Sequence, residues 1–222
     1  MFRQWIGIAT VVVMTGGAAA QTVPFTESYD ADAGNWRDAT GAVNAAWVGT
    51  GGADGAGYVT QALNFQTQTV GATPLLVRSD SAWGSSGGAF YGDWLNSGVS
   101  DLTFWVRHNA IAPINVFARF ATNVPGEGAI GLEFVPVFPN VWTPISIAIF
   151  DGNPQFISFE ASDFNTVFAN IQRLQFGISV PDSLAGQNLT FSFDFDEVGI
   201  VPEPSSLALL AAGGLLLASR RR

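Results

Sequence analysis

The chain has 222 residues, a formal net charge of −9, no cysteine and no lysine. The lack of cysteine excludes a disulfide framework, a thiolate nucleophile and a cysteine metal site. The acidic balance argues against nucleic acid and anionic lipid headgroups as partners.

In chain order, Met1 to Ala20 comes first. Arg3 supplies a positive start, Trp5 to Met14 an apolar run broken only by Gly7 and Thr10, and Ala18-Ala19-Ala20 the small residues of a cleavage site. This is the three-part pattern of a secretory signal peptide, and its apolar run is short for a stable span. The expected mature start is Gln21, made by signal peptidase; the alternative is a buried N-terminal helix. Residues 21–200 then form one domain, with no internal repeat. Between the two ends of the chain lie five arginines against 17 acidic residues.

Within that domain, apolar residues alternate with polar ones at the period of a half-buried strand. Leu102, Phe104 and Val106 are set against Thr103, Trp105 and Arg107. Val116, Ala118 and Phe120 are set against Asn115, Phe117 and Arg119. Ile145, Ile147 and Ile149 share one face, as do Leu174, Phe176, Ile178 and Val180. The cleanest case is Leu189, Phe191, Phe193 and Phe195 against Thr190, Ser192, Asp194 and Asp196. Turn-forming segments rich in Gly, Pro, Asn and Asp separate the runs. Ser162-Asp163 predicts the cap of one short helix, with Phe164, Val167, Phe168 and Ile171 at helical spacing. The fold class is therefore all-β, a jelly-roll β-sandwich with one short helix.

At the far end, Val201-Pro202-Glu203-Pro204 precedes Ser205-Ser206, an uncharged run from Leu207 to Ala218, then Ser219 and Arg220-Arg221-Arg222. As a helix, Ser205 to Ser219 is about 22 Å long against a hydrocarbon core of roughly 30 Å, so it suits a transient stay in the inner membrane. The three arginines stay on the cytoplasmic side.

This order, with Pro202, Glu203 and Pro204 ahead of a short apolar helix and an arginine cluster, resembles the PEP-CTERM sorting signal of Gram-negative bacteria. The resemblance covers residues 201–222. It implies processing by an exosortase, an organism that makes exopolysaccharide, and a destination at the cell surface or in the extracellular matrix. An unprocessed tail anchor is the alternative. A second resemblance spans most of the domain. The Gly34-Asn35-Trp36 turn, the loop Gly51 to Val59, the strand Leu102 to Arg107, Trp142-Thr143-Pro144 and the closing Phe193 to Val198 together resemble a carbohydrate-binding-module jelly roll of the galactose-binding-like or laminin-G-like kind. Fold likeness does not transmit function.

That second resemblance implies a structural calcium ion tying the first strand to the last, with Glu27 and Asp196 at the matching positions. Asp30, Asp32 and Asn35 form a second candidate loop, with hard oxygen ligands at alternate positions, or else ordinary turn formers. For glycan binding, exposed aromatics give the stacking platform and nearby polar groups fix orientation. The candidates are Trp83, Tyr91, Asp93 and Trp94 in a Gly/Ser-rich stretch, and Trp105 on a strand; the competing role for each tryptophan is core. No catalytic residue is assigned. His108 is the only histidine, and no nucleophile-elbow sequence accompanies it. Asp194, Asp196 and Glu197 resemble the acidic strand of laminarinase-like glycosidases but miss that family's pattern of two outer glutamates. The expected function is a non-catalytic surface or biofilm-matrix protein that associates with exopolysaccharide. The alternatives are a structural or protein-adhesive surface protein, and then a glycoside hydrolase.

Overall fold

A computed structural model describes residues 23–202. The signal peptide, Gln21, Glu203, Pro204, the apolar run and Arg220 to Arg222 lie outside these residues.

Among the described residues, twelve strands form two antiparallel sheets. They are β1 (Phe25–Glu27), β2 (Arg37–Asp38), β3 (Ala46–Val48), β4 (Tyr58–Asn64), β5 (Leu75–Asp80), β6 (Val99–His108), β7 (Asn115–Ala121), β8 (Glu127–Leu132), β9 (Thr143–Ala148), β10 (Phe156–Glu160), β11 (Arg173–Ser179) and β12 (Thr190–Pro202). The first sheet runs β3-β4-β12-β6-β9, with β1 also on β12; the second runs β10-β8-β7-β11-β5-β2. The chain crosses repeatedly between sheets, and their inner faces meet in one core, a jelly-roll sandwich.

Alternation explains the layering. Leu102, Phe104 and Val106 are buried on β6, and Leu174, Phe176 and Ile178 on β11. Aromatic stacking joins the two sheets: Trp36 lies flat on Phe176 with ring centres 5.5 Å apart, and Phe176 stacks on Phe195 at 5.4 Å. The predicted helix is present as α1 (Phe164–Phe168). The Asp163 carboxylate accepts from Thr166 N–H at 2.7 Å, and this bond holds its pKa below the ordinary carboxylate value. Among the described residues, no helix is long and apolar enough to cross a membrane.

Two expectations need correction. Leu189 precedes β12 and is 39% exposed, because its N–H bonds Gln187 in a turn and its C=O accepts from Phe65 N–H before the ladder begins. Phe117 sits at an outward register position yet is buried: its ring lies over Gly177, where no side chain stands in the way. A Cβ at Gly177 would collide with the Phe117 ring and with Pro74 C=O.

Candidate functional site: two outer sheet faces

Position on a strand decides which face each polar residue occupies. On the first sheet, Thr60, Asp194 and Arg107 stand side by side across β4, β12 and β6, and Asp196, Trp105 and Pro144 form the next row. Arg107 pairs with Asp194 at 2.8 Å, and Thr60 donates to the same carboxylate at 2.6 Å. The Arg107 guanidinium also lies 4.5 Å from the Trp142 ring centre and 5.0 Å from that of Tyr58. Arg107 and Trp142 both donate to Gly51 C=O, at 3.3 and 3.1 Å. This cluster is therefore a clamp on the glycine loop, and its charge and hydrogen-bonding groups are largely committed within the protein.

The same loop is held from its other side by Asp196. Ala53 N–H donates to one Asp196 oxygen at 2.6 Å and Glu197 N–H to the other at 2.8 Å. Gly52 lies so close that a Cβ there would overlap this carboxylate. Asp196 is fully buried, and burial pushes its pKa up to about 6, against the pull of those two N–H groups and with Asp54 and Asp30 adding to the rise. Burial, then Asp196, also raises Glu197. Glu27 stands opposite Val198, two residues beyond Asp196, and accepts from Tyr29 N–H at 3.3 Å. Tyr29 is buried, and burial, then Glu27 and Asp196, pushes its hydroxyl well above the ordinary value. In the second candidate loop, Asp32 accepts from Gly34 N–H at 2.7 Å, Asp30 and Asn35 are exposed, and Asn35 has a left-handed backbone. Among the described residues, no group of three or more His, Cys, Asp or Glu side chains is placed to hold a metal.

The glycan candidates do not form one cluster. Trp94 is not a platform: it is fully buried, packs on Phe120 and Phe168, and donates to Phe90 C=O at 2.9 Å. The glycine- and serine-rich stretch folds inward there instead of presenting the ring. Tyr91 packs against the core, and burial raises its hydroxyl to about 12 despite the nearby Ser79 and Ser85. Asp93 closes a local turn by accepting from Asn96 N–H at 2.9 Å. Trp105 is half-buried on the first sheet, and Trp83 is half-buried beside the second. His108 is buried and accepts from Ala110 N–H, with its other nitrogen 2.9 Å from Val137 C=O. Burial holds its pKa below the ordinary value.

The outer face of the second sheet has a different character. One row across β8, β7, β11, β5 and β2 reads Ile130, Arg119, Gln175, Arg78, Arg37. Five strands span roughly 19 Å. The next row adds Arg173 beside Asp80. Trp83 follows Asp80 on a 3-10 turn and closes the β2 end, with Arg37 over its ring at 4.3 Å and Arg78 at 5.8 Å. Sequence reading names Trp83 but misses these arginines. Leu75–Asp80 reads Leu-Leu-Val-Arg-Ser-Asp, with no apolar–polar alternation to flag Arg78, and the two-residue β2 is too short to show one.

Comparison with solved structures finds this fold in parts of larger proteins. An exo-β-agarase gives a TM-score of 0.50 at 8% identity, covering 82% of this chain and 25% of that one. The CBM22-1–GH10 modules of endo-1,4-β-D-xylanase 10B from Clostridium thermocellum, complexed with xylohexaose, give 0.49 at 14% identity, covering 82% and 28%. The family 30 carbohydrate-binding module of a cellulosomal cellulase from the same organism gives 0.42 at 14% identity, covering 82% and 92%. The chain thus spans about a quarter of the length of the first two. A comparison with curated proteins gives no match. At the C-terminal end, residues 201–222 match the PEP-CTERM protein-sorting motif, so this chain carries the sorting signal of an exported protein handled by exosortase at the membrane.

Proposed function

We propose that the protein is a non-catalytic component of the cell surface or biofilm matrix that associates with exopolysaccharide through the outer face of its second sheet. The observation that carries this reading is Trp83, a half-exposed indole at the β2 end of this face with the Arg37 and Arg78 guanidinium groups against its ring. An aromatic ring with polar groups arrayed beside it is the usual chemistry of a sugar subsite. The sorting motif supports this reading, because an exported protein is in a position to meet such polymers. A calcium ion between Glu27 and Asp196 belongs to the same reading. The buried Asp196 carboxylate has Asp54 and Asp30 near it, so an added cation would offset the cost of its charge.

A glycan array probed with the secreted protein tests the binding. Trp83→Ala is expected to lower affinity for the bound glycan about tenfold or more, and Trp94→Ala to act through stability instead. Equal binding by native protein and Trp83→Ala would overturn the site. Intact-mass measurement of envelope material tests the export reading: the mature species should begin at Gln21 and lack Leu207 to Arg222. A mature protein that keeps its terminal arginines would leave the tail anchor standing.

One observation favours a protein-adhesive role instead. Ile111 is 70% exposed, Val135 69%, Phe138 62% and Phe134 54%. The bridge between Ile114 and Val137 brings their two loops to one end of the sandwich.

A further inference from the structure

We propose that the glycan taken by the outer face of the second sheet is a polyanion, with carboxylate or sulfate groups bound by Arg37 and Arg78. This rests on the glycan reading above and names its substrate class. The described residues contain five arginines, and four of them, Arg37, Arg78, Arg119 and Arg173, lie on this one face. The rest of the domain is strongly acidic, so the concentration of positive charge is local.

The four arginines divide into two pairs. Arg119 forks onto Glu160 at 2.6 and 2.7 Å and reaches Gln175 at 2.8 Å, while Arg173 meets Asp80 at 2.8 Å. These two are neutralised. Arg37 and Arg78 form no ion pair among the described residues; each holds a backbone carbonyl, Gly41 at 3.0 Å and Ala39 at 3.3 Å. The Nε–H of each is buried without a hydrogen-bond partner. Both guanidinium groups crowd the same Trp83 ring. Burial, then the charge of Arg173, pulls the Arg78 pKa below its ordinary value, with Arg119 adding to the fall and Asp80 and Asp38 opposing it. Asp80 and Asp38 offset part of this charge, but neither pairs directly with Arg37 or Arg78, and two cations side by side without a paired anion are unfavourable until one arrives. A planar carboxylate matches the guanidinium fork, and the indole receives the sugar ring that carries it.

The arrangement separates this class from a neutral glucan, which would give the two charges nothing. It also predicts salt sensitivity, since surface charges are screened within a few ångströms at high ionic strength.

The test measures binding of the secreted protein, in chelator, to alginate as a polyuronate and to barley mixed-linkage β-glucan as a neutral polymer. Alginate should bind, weakening as salt rises from about 0.05 to about 0.5 M. The double variant Arg37→Gln/Arg78→Gln should lose about tenfold or more in affinity. Arg37→Lys/Arg78→Lys keeps the charge and should retain a substantial part of the binding, and the salt dependence of the native protein stands even if a variant misfolds. Salt-insensitive binding of β-glucan that is lost in Trp83→Ala, with no preference for alginate, would overturn the anionic class while leaving the glycan site. Binding to neither polymer would overturn both.

Discussion

Phe193→Ala is expected to unfold the domain or prevent its accumulation, while Ser192→Ala leaves it almost unchanged. The two residues are neighbours on β12, and the pleat sends them to opposite faces. Phe193 is fully buried, with its ring centre 6.3 Å from that of Phe65 and stacked at 5.8 Å on the His108 imidazole. Removing the ring leaves a cavity beside a histidine already burdened by burial. Such truncations cost about 3–5 kcal/mol, against the roughly 5–15 kcal/mol that stabilises a typical domain. Ser192 exchanges two bonds with Asn109, its N–H to the side chain at 2.8 Å and its C=O from the backbone N–H at 3.2 Å. Both use the serine backbone and survive the substitution, so its effect should stay within about 0.5 kcal/mol. Urea titration decides the matter: coincident midpoints for the two variants would refute the face assignment of β12.

Asp196→Asn is expected to stabilise the calcium-free protein at neutral pH and to do little in acid. In the unfolded chain this carboxyl titrates near its ordinary value of 3.8, and in the folded protein at about 6. Between those values the folded state holds a proton that the unfolded state has released. The contribution to stability is therefore full below about pH 4 and lost as pH rises through about 6. At one pKa unit per 1.36 kcal/mol, the ionised carboxylate costs on the order of 2–3 kcal/mol at neutral pH. Asparagine has no charge to desolvate, though it keeps only one of the two acceptor oxygens. His108 acts in the opposite sense. Its lowered folded pKa means that the unfolded chain gains a proton first as pH falls, which removes stability below about pH 6.5. The difference between native protein and variant isolates Asp196 from that background. Calcium, if Glu27 and Asp196 hold it, should raise the native melting temperature at neutral pH by mass action and leave Asp196→Asn unmoved. Native melting curves that coincide in calcium and in chelator would remove the metal from this account.

Much of the core was legible because burial on a strand repeats every second residue. Leu102, Phe104, Val106, Leu174, Phe176, Ile178, Phe193 and Phe195 are buried as the alternation requires, and Asp163 caps the helix expected from its spacing. The candidate site was legible only in fragments. Trp83 and Trp94 stand in similar glycine- and serine-rich surroundings, yet one borders a sheet face and the other fills the core. That difference is set by tertiary contacts with Phe120 and Phe168, far away in sequence. The arginine row was hidden for the same reason: Arg37, Arg78 and Arg119 come from three distant segments and become neighbours only through sheet register. Charge spacing along a chain carries no trace of such a row.

The last strand has a consequence for export. Pro202 is the final residue of β12, in register with Val99, and also the first proline of the sorting motif. The folded domain therefore runs into the sorting motif without a spacer. Proline contributes no N–H to the ladder, so releasing it breaks little. The strand and the sorting motif thus share the backbone of Val201 and Pro202. A few inserted residues between Val201 and Pro202 would uncouple the two, and the rate of processing would reveal how strongly the fold restrains its own release.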